Sequence, residues 1–404
     1  MNGRLKRLLT VSLVVSMFVV SVFSDIGIKN ADAATTIKIK KVKITVADKK
    51  TIKAPKSENK ATWSVLSGKN NISILGKDKK TIKIKAEKSG KVKLQAKQGK
   101  KKTIYNITVE KQAPKKSELE QLRELYIDYF WKAQEESPYD WGWRKNSDLT
   151  KLKWFSDWVS WDDYGYVKGI VVDDMSITTP YFIGYDIEMD IKLPRFSRIK
   201  YFGSSTGNYL KSIDLGNNPS LKYFFLNQGY GEHWDEQEYH ILNQINVSGC
   251  KNLEGFYIST AYCVEKLDLS QNTKLKTVNI VSLENLSELK IPQSNDLREF
   301  YINWTLINEV DLSGCKKLQR VGVMGCNAKR IILSLEEKTD KEILDFDICV
   351  DKGTSVQFVS ENKTDAIPYV KYGDNMGYMN DGRSFISKCI EYTEKNGKLC
   401  IKLL

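Results

Sequence analysis

The chain of 404 residues contains only two histidines, His233 and His240, and no cysteine before position 250. It also lacks an H-E-x-x-H metalloprotease motif, a glycine-rich phosphate-binding loop, a nucleophile elbow and a C-x-x-C pair. The run 374–382 combines acidic residues with glycine, but it does not have the spacing of a calcium-binding loop. We therefore expect no catalytic residue, no cofactor, no metal site and no enzymatic activity.

A long apolar span is missing as well. The apolar stretch at 8–23 contains one threonine and three serines. It is short for a membrane-spanning helix, which needs about 20 mainly apolar residues. It follows a basic start at 4–7 and precedes an Ala-Asp-Ala site at 31–33 that suits signal peptidase. This pattern predicts a secretory signal over residues 1–33 that is removed on export, and an uncleaved anchor is the alternative.

The signal region contains no cysteine, which excludes a lipid-modified cysteine at the new N-terminus. The C-terminal tail has no L-P-x-T-G sorting motif. We therefore expect a secreted or cell-surface protein with an export signal of the Gram-positive type and no sortase anchor. After removal of the signal, no transmembrane segment is expected.

Charge is divided unevenly along the rest of the chain. Residues 35–116 contain 25 lysines and five acidic residues, a net charge of +20, whereas residues 117–404 contain 34 basic and 43 acidic residues, a net charge of −9. This contrast predicts a domain boundary, with 111–116 as the linker. A basic module on an exported protein favours an anionic cell-wall polymer or acidic glycan as partner, and not nucleic acid. A solvated lysine-rich exterior is the alternative interpretation.

The basic region, residues 35–110, alternates between apolar and polar side chains with the two-residue period of a half-buried strand. The alternation recurs at 81–85, 91–95 and 105–109, and turn residues such as Ser89-Gly90 separate these segments. Short strands with regular turns predict a small antiparallel β-sandwich.

Four segments of this region resemble the group-two bacterial immunoglobulin-like family. They are residues 61–64 with Trp63, 72–76, 88–96 and 107–109. The resemblance implies a spacer, or in some cases an adhesive module, in which the tryptophan packs into the core. It implies no enzymatic activity.

Residues 117–134 have apolar side chains three and four residues apart, which predicts a helix that begins at Ser117 with Glu120 completing a capping box. Six of the nine tryptophans follow or end this region: Trp131, Trp141, Trp143, Trp154, Trp158 and Trp161. Such a cluster could stack on sugars, but a repeat stack also needs a cap over its exposed end. We favour an aromatic N-terminal cap over 117–165.

A repeated unit follows, with nearly even spacing after a longer first interval. Its positions 0, 3, 5, 11, 14 and 16 are large and apolar at all thirty places in five units. The units begin at Leu210, Leu242, Val264, Leu286 and Ile307, and a sixth begins at Ala328. Position 8 is, in turn, Asn218, Cys250, Asn272, Ser294 and Cys315. This pattern resembles the leucine-rich repeat, L-x-x-L-x-L-x-x-N/C.

The resemblance implies a solenoid over residues 166–340, in which the Asn or Cys at position 8 hydrogen-bonds the backbone of the next coil. Val167, Ile170 and Val172 fit positions 0, 3 and 5 of an entry coil. A degenerate unit follows, formed by Ile191, Leu193, Ile199 and Phe202. The overall expectation is a mainly β protein: a small immunoglobulin-like sandwich, then a solenoid with an aromatic N-terminal cap and a β-rich C-terminal cap.

Residues 341–404 again contain segments in which apolar and polar side chains alternate. This pattern predicts a β-rich C-terminal cap, or alternatively a small independent fold. Asn396-Gly397 predicts a two-residue β-hairpin turn. In that register Thr393 lies opposite Cys400.

An insertion at 227–240 lengthens the first repeat interval, which runs from Leu210 to Leu242. It carries candidate contact residues and potential metal ligands: Tyr230, His233, Trp234, Asp235 and His240. Insertions in repeat proteins often map to the binding face. Three interpretations of the insertion remain: a loop that contacts a ligand, a metal site, or a loop with no binding role. The spacing of its potential ligands fits no known metal motif.

Two outward lines on the repeats are further candidates for ligand contact. Position 4 supplies a mainly acidic stripe that contains Asp214, Asn246, Asp268 and Asp311, together with Lys290. Position 15 supplies Phe225, Tyr257, Asn279, Tyr301 and Gly322. Exposed tyrosines are common contact residues, but aromatic ladders across strands also stabilise sheets.

These features favour a non-enzymatic binding or adhesion protein that recognises a protein or glycan on a host or bacterial surface. The basic domain would act as spacer or cell-wall contact. The alternative is a carbohydrate-active or wall-processing accessory that uses the tryptophan-rich cap, with Asp157, Asp162, Asp163, Asp173 and Asp174 as available acids.

The cysteine positions predict few disulfides. Cys250 and Cys315 lie three coils apart, about 14 Å at the spacing of adjacent strands, which is beyond disulfide reach. The hairpin register also separates Cys389 from Cys400. We predict that thiol titration of the unfolded, unreduced protein finds most of the seven cysteines free, and a count of one or none would contradict this.

Overall fold

The computed structural model describes residues 37–56, 60–127, 144–152, 157–172, 189–204, 210–227, 242–334, 347–351, 354–359, 390–395 and 398–403. The chain forms two compact units, the first comprising residues up to 44 together with 48–109, and the second comprising 45–47 and 110–404. Strands dominate both units, so the expectation of a mainly β protein is confirmed. The predicted signal segment 1–33 lies outside the described residues.

The first unit is built from β-strands. Within the described residues these are β1 (Ile37–Thr45), β2 (Lys49–Lys53), β3 (Thr62–Ser67), β4 (Ile72–Lys77), β5 (Thr81–Ala86), β6 (Gly90–Gln98) and β7 (Lys101–Glu110). They form a front sheet in the order β1-β7-β6-β3 and a back sheet in the order β2-β5-β4. Strand β6 runs antiparallel to β7 and β3, and β5 runs antiparallel to β2 and β4.

The two-residue period places the apolar side chains of β5 and β6 inside the first unit. Ile82 and Ile84 of β5 are buried, as are Val92 and Leu94 of β6. Trp63 is buried as well, and its indole N–H donates to the carbonyl of Asp78 at 3.0 Å, so its polar atom is satisfied. The expected tryptophan core is therefore present.

The helix α1 (Lys116–Tyr126) opens the second unit, and its predicted capping box is wrong. The N-cap is Lys115, not Ser117, and no side chain caps the helix. Glu118 lies in the first turn, and its buried carboxylate accepts hydrogen bonds from the Val167 N–H at 3.0 Å and the Ser197 hydroxyl at 2.8 Å. These bonds fix the first turn against the repeats.

Two tryptophans of the predicted cap, Trp158 and Trp161, lie within the described residues. Trp158 is buried in the core of the second unit, and Trp161 is partly buried against it. Their positions agree with packing at the end of the repeats. The other four tryptophans of the cluster lie outside the described residues.

The repeats form one long sheet of mainly parallel strands. Its strands within the described residues are β8 (Val159–Trp161), β9 (Val167–Val172), β11 (Tyr201–Ser204), β13 (Tyr223–Asn227), β15 (Gly255–Ser259), β17 (Thr277–Leu283), β19 (Glu299–Thr305), β21 (Arg320–Met324) and β23 (Asp347–Val350). They follow one another across the sheet in sequence order, and only β8 is antiparallel to its neighbour. We call this the long-strand sheet.

Shorter strands alternate with the long ones along the chain. They are β10 (Met189–Lys192), β12 (Leu210–Asp214), β14 (Gln244–Asn246), β16 (Lys266–Asp268), β18 (Glu288–Lys290), β20 (Glu309–Leu312), β22 (Arg330–Ser334) and β24 (Ser355–Val359). Within the described residues they pair in parallel as β10-β12-β14, β16-β18 and β20-β22-β24. We call these the short-strand sheets. Their inward side chains and those of the long-strand sheet share one core.

The register joins identical repeat positions. Phe224 pairs with Phe256, Phe256 with Val278, Val278 with Phe300, and Phe300 with Val321. The Phe224 and Phe256 ring centres are 5.3 Å apart, so like residues stack within the core. This register is the same for the short and the long repeat intervals. The extra residues of the long interval lie between β13 and β14 and therefore do not shift the strands.

The register corrects one assignment at the start of the repeats. Ile170 pairs with Phe202 of the long-strand sheet, so Val167, Ile170 and Val172 occupy positions 11, 14 and 16 instead of 0, 3 and 5. The two sets have the same internal spacing, three positions and then two, and spacing alone cannot separate them. The degenerate unit is placed as predicted, with Ile191 opposite Ile213 and Phe202 opposite Phe224.

Beyond residue 340 the stack continues. Ile348 of β23 pairs with Val321, and Val356 of β24 pairs with Ile331. The C-terminal hairpin of β25 (Ile390–Lys395) and β26 (Lys398–Leu403) has Thr393 opposite Cys400, as predicted.

Position 8 connects each coil to the one before it, which corrects the expected direction of these bonds. The Asn218 amide donates to the carbonyls of Pro194 at 3.0 Å and Leu215 at 2.8 Å, and its oxygen accepts from the Phe196 N–H at 2.8 Å. Asn272 donates to the carbonyls of Val247 and Cys250, both at 3.0 Å.

Cysteines at position 8 act as small buried side chains. Cys250 and Cys315 are both fully buried and free, and the Cys315 thiol lies 3.5 Å from the Pro292 carbonyl. Burial raises the pKa of the Cys250 thiol to about 11, so it stays protonated and unreactive at neutral pH.

A left-handed residue recurs near the end of the long strands. Thr260, Ser282, Trp304 and Gly325 have φ angles of 57°, 55°, 54° and 63°, and all four occupy position 18 of their units. This conformation costs a non-glycine residue about 1–2 kcal/mol. Its recurrence with four different side chains indicates that the turn out of the long-strand sheet imposes it.

Replacement of asparagine at position 8 tests these inter-coil bonds. We expect Asn218→Ala to lower the free energy of unfolding by about 2–3 kcal/mol, because it removes three buried hydrogen bonds. Asn272→Ala should cost about 1 kcal/mol less, since the oxygen of Asn272 has no hydrogen-bond partner. Urea denaturation measures both. The exposed Asn252, with one bond to the Pro219 carbonyl, is the control, and an equal loss in Asn252→Ala would contradict the assignment.

Candidate functional site

The candidate residues at position 4 lie on the outer side of the short-strand sheets, and each caps its own turn. Asp214 accepts from the Gly216 N–H at 2.9 Å, and Asn246 accepts from the Ser248 N–H at 3.1 Å. Asp268 and Asp311 do the same, each with the N–H of the serine two residues on, at 2.9 Å. These are Asx turns, in which a short polar side chain bonds the backbone just after it.

Lys290 supports this explanation of the acidic stripe. The residue two positions after Lys290 is Pro292, and the residue two positions after Lys192 is Pro194. Proline has no N–H to donate, so a turn-forming Asp or Asn gains nothing at these positions. Local turn chemistry therefore accounts for the aspartates. Hydrogen bonds from Ser270 lower the pKa of the Asp268 carboxyl. The group is therefore ionised at neutral pH and accepts the hydrogen bonds of its turn as a carboxylate.

The other candidate line lies on the outer side of the long-strand sheet. Its register is continuous from Val171 through Gly203, Phe225, Tyr257, Asn279, Tyr301 and Gly322 to Cys349. The acidic stripe and the tyrosines therefore belong to different sheets and do not form one site.

Glycines on this outer face lie opposite aromatic residues of the adjacent strand. The register pairs are Gly169 with Tyr201, Gly203 with Phe225, Gly255 with Tyr223 and Gly322 with Tyr301. A Cβ atom at each of these glycines would lie within 3 Å of an atom of the paired ring. The missing side chains therefore let the rings lie over the backbone of the sheet.

These tyrosines differ in how much of the side chain is exposed to solvent. Tyr301 is only 9% exposed, so it serves to cover Gly322. Tyr223 is 43% exposed and Tyr257 is 36% exposed, and both rings border Gly255, at 2.9 Å and 2.7 Å from its ideal Cβ position. We call this group the tyrosine patch: Tyr223, Gly255 and Tyr257.

Sequence reasoning identified Tyr257 but missed Tyr223. Tyr223 occupies position 13, which precedes the inward Phe224 and must therefore point outward in a strand. That two-residue alternation was the available signal.

An ion-pair row borders the tyrosine patch. Glu254 lies between two lysines of adjacent coils: it pairs with Lys222, and with Lys276 at 2.8 Å. Hydrogen bonds from both lysines lower the pKa of the Glu254 carboxyl, which therefore stays ionised. A shallow depression in this row is lined by these three residues together with Lys200, Lys274 and Asp296. The patch thus combines exposed rings with charged groups at its edge.

The insertion residues Tyr230, His233, Trp234, Asp235 and His240 lie outside the described residues. Within the described part of the chain, no group of three or more His, Cys, Asp or Glu side chains could hold a metal ion. No helix among the described residues is both long and apolar enough to cross a membrane.

Comparison of the chain with protein-family models, curated proteins and solved structures returns no match.

A glycine substitution tests the packing of rings over the sheet. A Cβ at Gly203 would lie 1.9 Å from the Phe225 ring, so we expect Gly203→Ala to displace that ring and destabilise the protein by about 1–3 kcal/mol. Gly76→Ala is the control, because nothing lies within 4 Å of its Cβ position. Thermal or urea unfolding measures both, and equal stability of the two variants would contradict the packing.

Proposed function

We propose that the second unit is a leucine-rich-repeat solenoid whose long-strand sheet presents the binding surface of a non-enzymatic secreted or cell-surface protein. The parallel register of identical positions supports the solenoid assignment, as do the coil-to-coil bonds of Asn218 and Asn272. Repeat proteins commonly bind through a regular sheet face, because adjacent coils place side chains at fixed spacing. The ligand is a protein or glycan on a host or bacterial surface.

The tyrosine patch is the observation that carries this proposal. Tyr223 and Tyr257 remain well exposed, whereas Tyr301, with the same glycine-covering geometry, is buried. Exposed tyrosines offer a rigid apolar ring with a hydroxyl group, a combination enriched at binding interfaces. The neighbouring ion-pair row, Lys222, Glu254 and Lys276, supplies polar partners at the edge.

The acidic stripe is excluded from the proposed surface. One side-chain oxygen of each of these residues accepts a hydrogen bond in its own turn, so their regular spacing along the repeats has a local structural cause. The residues are Asp214, Asn246, Asp268 and Asp311. The proposal also assigns no sugar contact to Trp158, which is buried.

The first unit is proposed to be a group-two bacterial immunoglobulin-like domain that acts as spacer or cell-wall contact. Its front and back sheets and the buried Trp63 support this assignment. Removal of a signal at 1–33 would place both units outside the cell membrane.

The tyrosine patch can be tested with a matched pair of double variants. The test variant combines Tyr223→Ala with Tyr257→Ala. The control combines Lys266→Ala with Glu288→Ala, and it removes an ion pair of 3.0 Å on a short-strand sheet. The probes are a printed array of bacterial and host glycans and immobilised host and bacterial surface proteins. We expect the tyrosine variant to lose about tenfold or more in affinity, as for a central aromatic contact, and the control to bind as the parent protein.

Unfolding curves of both variants establish that they are folded. Full binding by the tyrosine variant, or no binding of the parent protein to any probe, would contradict the proposed surface. Release of soluble products from cell-wall material by the parent protein would contradict the non-enzymatic assignment.

A further inference from the structure

The basic region that follows the predicted signal takes its positive charge from lysine alone. Residues 35–116 contain 25 lysines and no arginine. Lysine presents a hydrated point charge, whereas arginine presents a planar fork suited to paired contacts with one phosphate or base. This composition favours attraction to a series of negative charges over recognition of one particular group.

Strand β6 directs three lysines outward from the front sheet. Lys91, Lys93 and Lys97 are exposed, and they alternate with the buried side chains of Val92 and Leu94. Residues two apart on one side of a strand are about 6.7 Å apart, so these charges form a line along the strand. Lys102 of β7 lies directly opposite Lys97 and extends the line sideways. We call Lys91, Lys93, Lys97 and Lys102 the lysine face.

Apart from the Lys97–Lys102 pair, the residues opposite Lys91, Lys93 and Lys97 across the front sheet are uncharged. Lys93 lies opposite Ser67 and Asn106, and Lys91 lies opposite Thr108. Strands β3 and β6 contain no acidic residue. Among the described residues, no carboxylate pairs with the lysine face.

The carboxylates at positions 78 and 87 are engaged elsewhere. Asp78 accepts hydrogen bonds from the N–H groups of Lys80 and Thr81, both at 2.6 Å. Glu87 accepts from Ser73 at 2.7 Å and pairs with Lys85 of the back sheet at 2.9 Å. The back sheet is therefore partly neutralised.

The arrangement of the lysine face does not serve the stability of the fold. Like charges directly opposite each other on a sheet are destabilising, and Lys97 and Lys102 are such a pair. Surface lysines without carboxylate partners gain nothing from ion pairing. A negatively charged ligand would remove this repulsion.

We propose that the lysine face binds a linear phosphodiester polymer of the bacterial cell wall. The polymer supplies repeated negative charges that can follow the line of lysines, so the charges of the two partners are complementary. Residues 35–110 contain two aromatic residues, Trp63 and Tyr105, and both are buried. The face therefore offers no ring on which nucleic-acid bases could stack, and no aromatic anchor for a bilayer interface.

This inference depends on the proposed function only for the export of the chain. The tyrosine patch belongs to the other unit, and its variants leave the lysine face unchanged. Loss of ligand binding at one surface is therefore measurable independently of the other.

The test uses the full chain without its signal, with purified poly(glycerol phosphate) as the probe at about 150 mM salt, where exposed charges are partly screened. The triple variant Lys91→Gln, Lys93→Gln, Lys97→Gln is compared with Lys49→Gln, Lys53→Gln, Lys83→Gln, which removes the same charge from the back sheet. We expect the first variant to lose about tenfold in affinity. We also expect the slope of its log affinity against log salt concentration to fall by an amount that corresponds to roughly two to three released ions. The second should lose about twofold or less.

Equal losses in the two variants would overturn the proposal, because they would show attraction to net charge alone. Absence of polymer binding by the parent protein would also overturn it. Tighter binding to single-stranded DNA or to phosphatidylglycerol vesicles of matched charge would assign the face to another partner. A loss confined to the front-sheet variant, with unchanged unfolding curves, supports the proposal.

Discussion

The parallel hydrogen bonding between successive coils is the constraint on which the second unit depends. Each long strand must place its residues opposite the same repeat positions of the next strand, as Phe224, Phe256 and Val278 show. A shift of one residue would turn every buried side chain to the outside. The repeat length is therefore free to vary only in the turns, and the long first interval adds its residues between β13 and β14.

Several side-chain choices follow from this register. Position 8 points into the coil, where Asn218 and Asn272 satisfy backbone carbonyls and Cys250 fills the same space. At position 4, Asp214 and Asp268 each accept a hydrogen bond from the N–H two residues later, in the turn that follows the short strand. The outer face of the long-strand sheet pairs glycine with aromatic rings, and only part of that face remains exposed. Tyr223 and Tyr257, the proposed contact residues, lie in the exposed part.

The sequence predicted the buried positions of the repeats well, because their apolar spacing is strict. It could not assign Val167, Ile170 and Val172 to a sheet, since both strands of a coil share the same apolar spacing. The predicted capping box of α1 was wrong. The observed side-chain bonds of its first turn join Glu118 to Val167 and Ser197, which are distant in sequence and which local capping rules do not include. The aspartates at position 4 looked like a binding stripe because their hydrogen bonds to the following turn are not visible in a pattern of outward residues. Tyr257 is more exposed than Tyr301. This difference depends on how each ring packs over a glycine, which the spacing of residues in the sequence does not predict.

A cysteine cross-link between adjacent long strands tests the register of the long-strand sheet. Ser259 and Val281 lie directly opposite each other in β15 and β17, at a separation suited to a disulfide. The register predicts that the double variant Ser259→Cys, Val281→Cys forms this disulfide on mild oxidation of the folded protein, detected by loss of both introduced thiols and by peptide mapping. Failure to form it, together with efficient cross-linking of Ser259→Cys to Leu283→Cys, would contradict the register and the surface built on it.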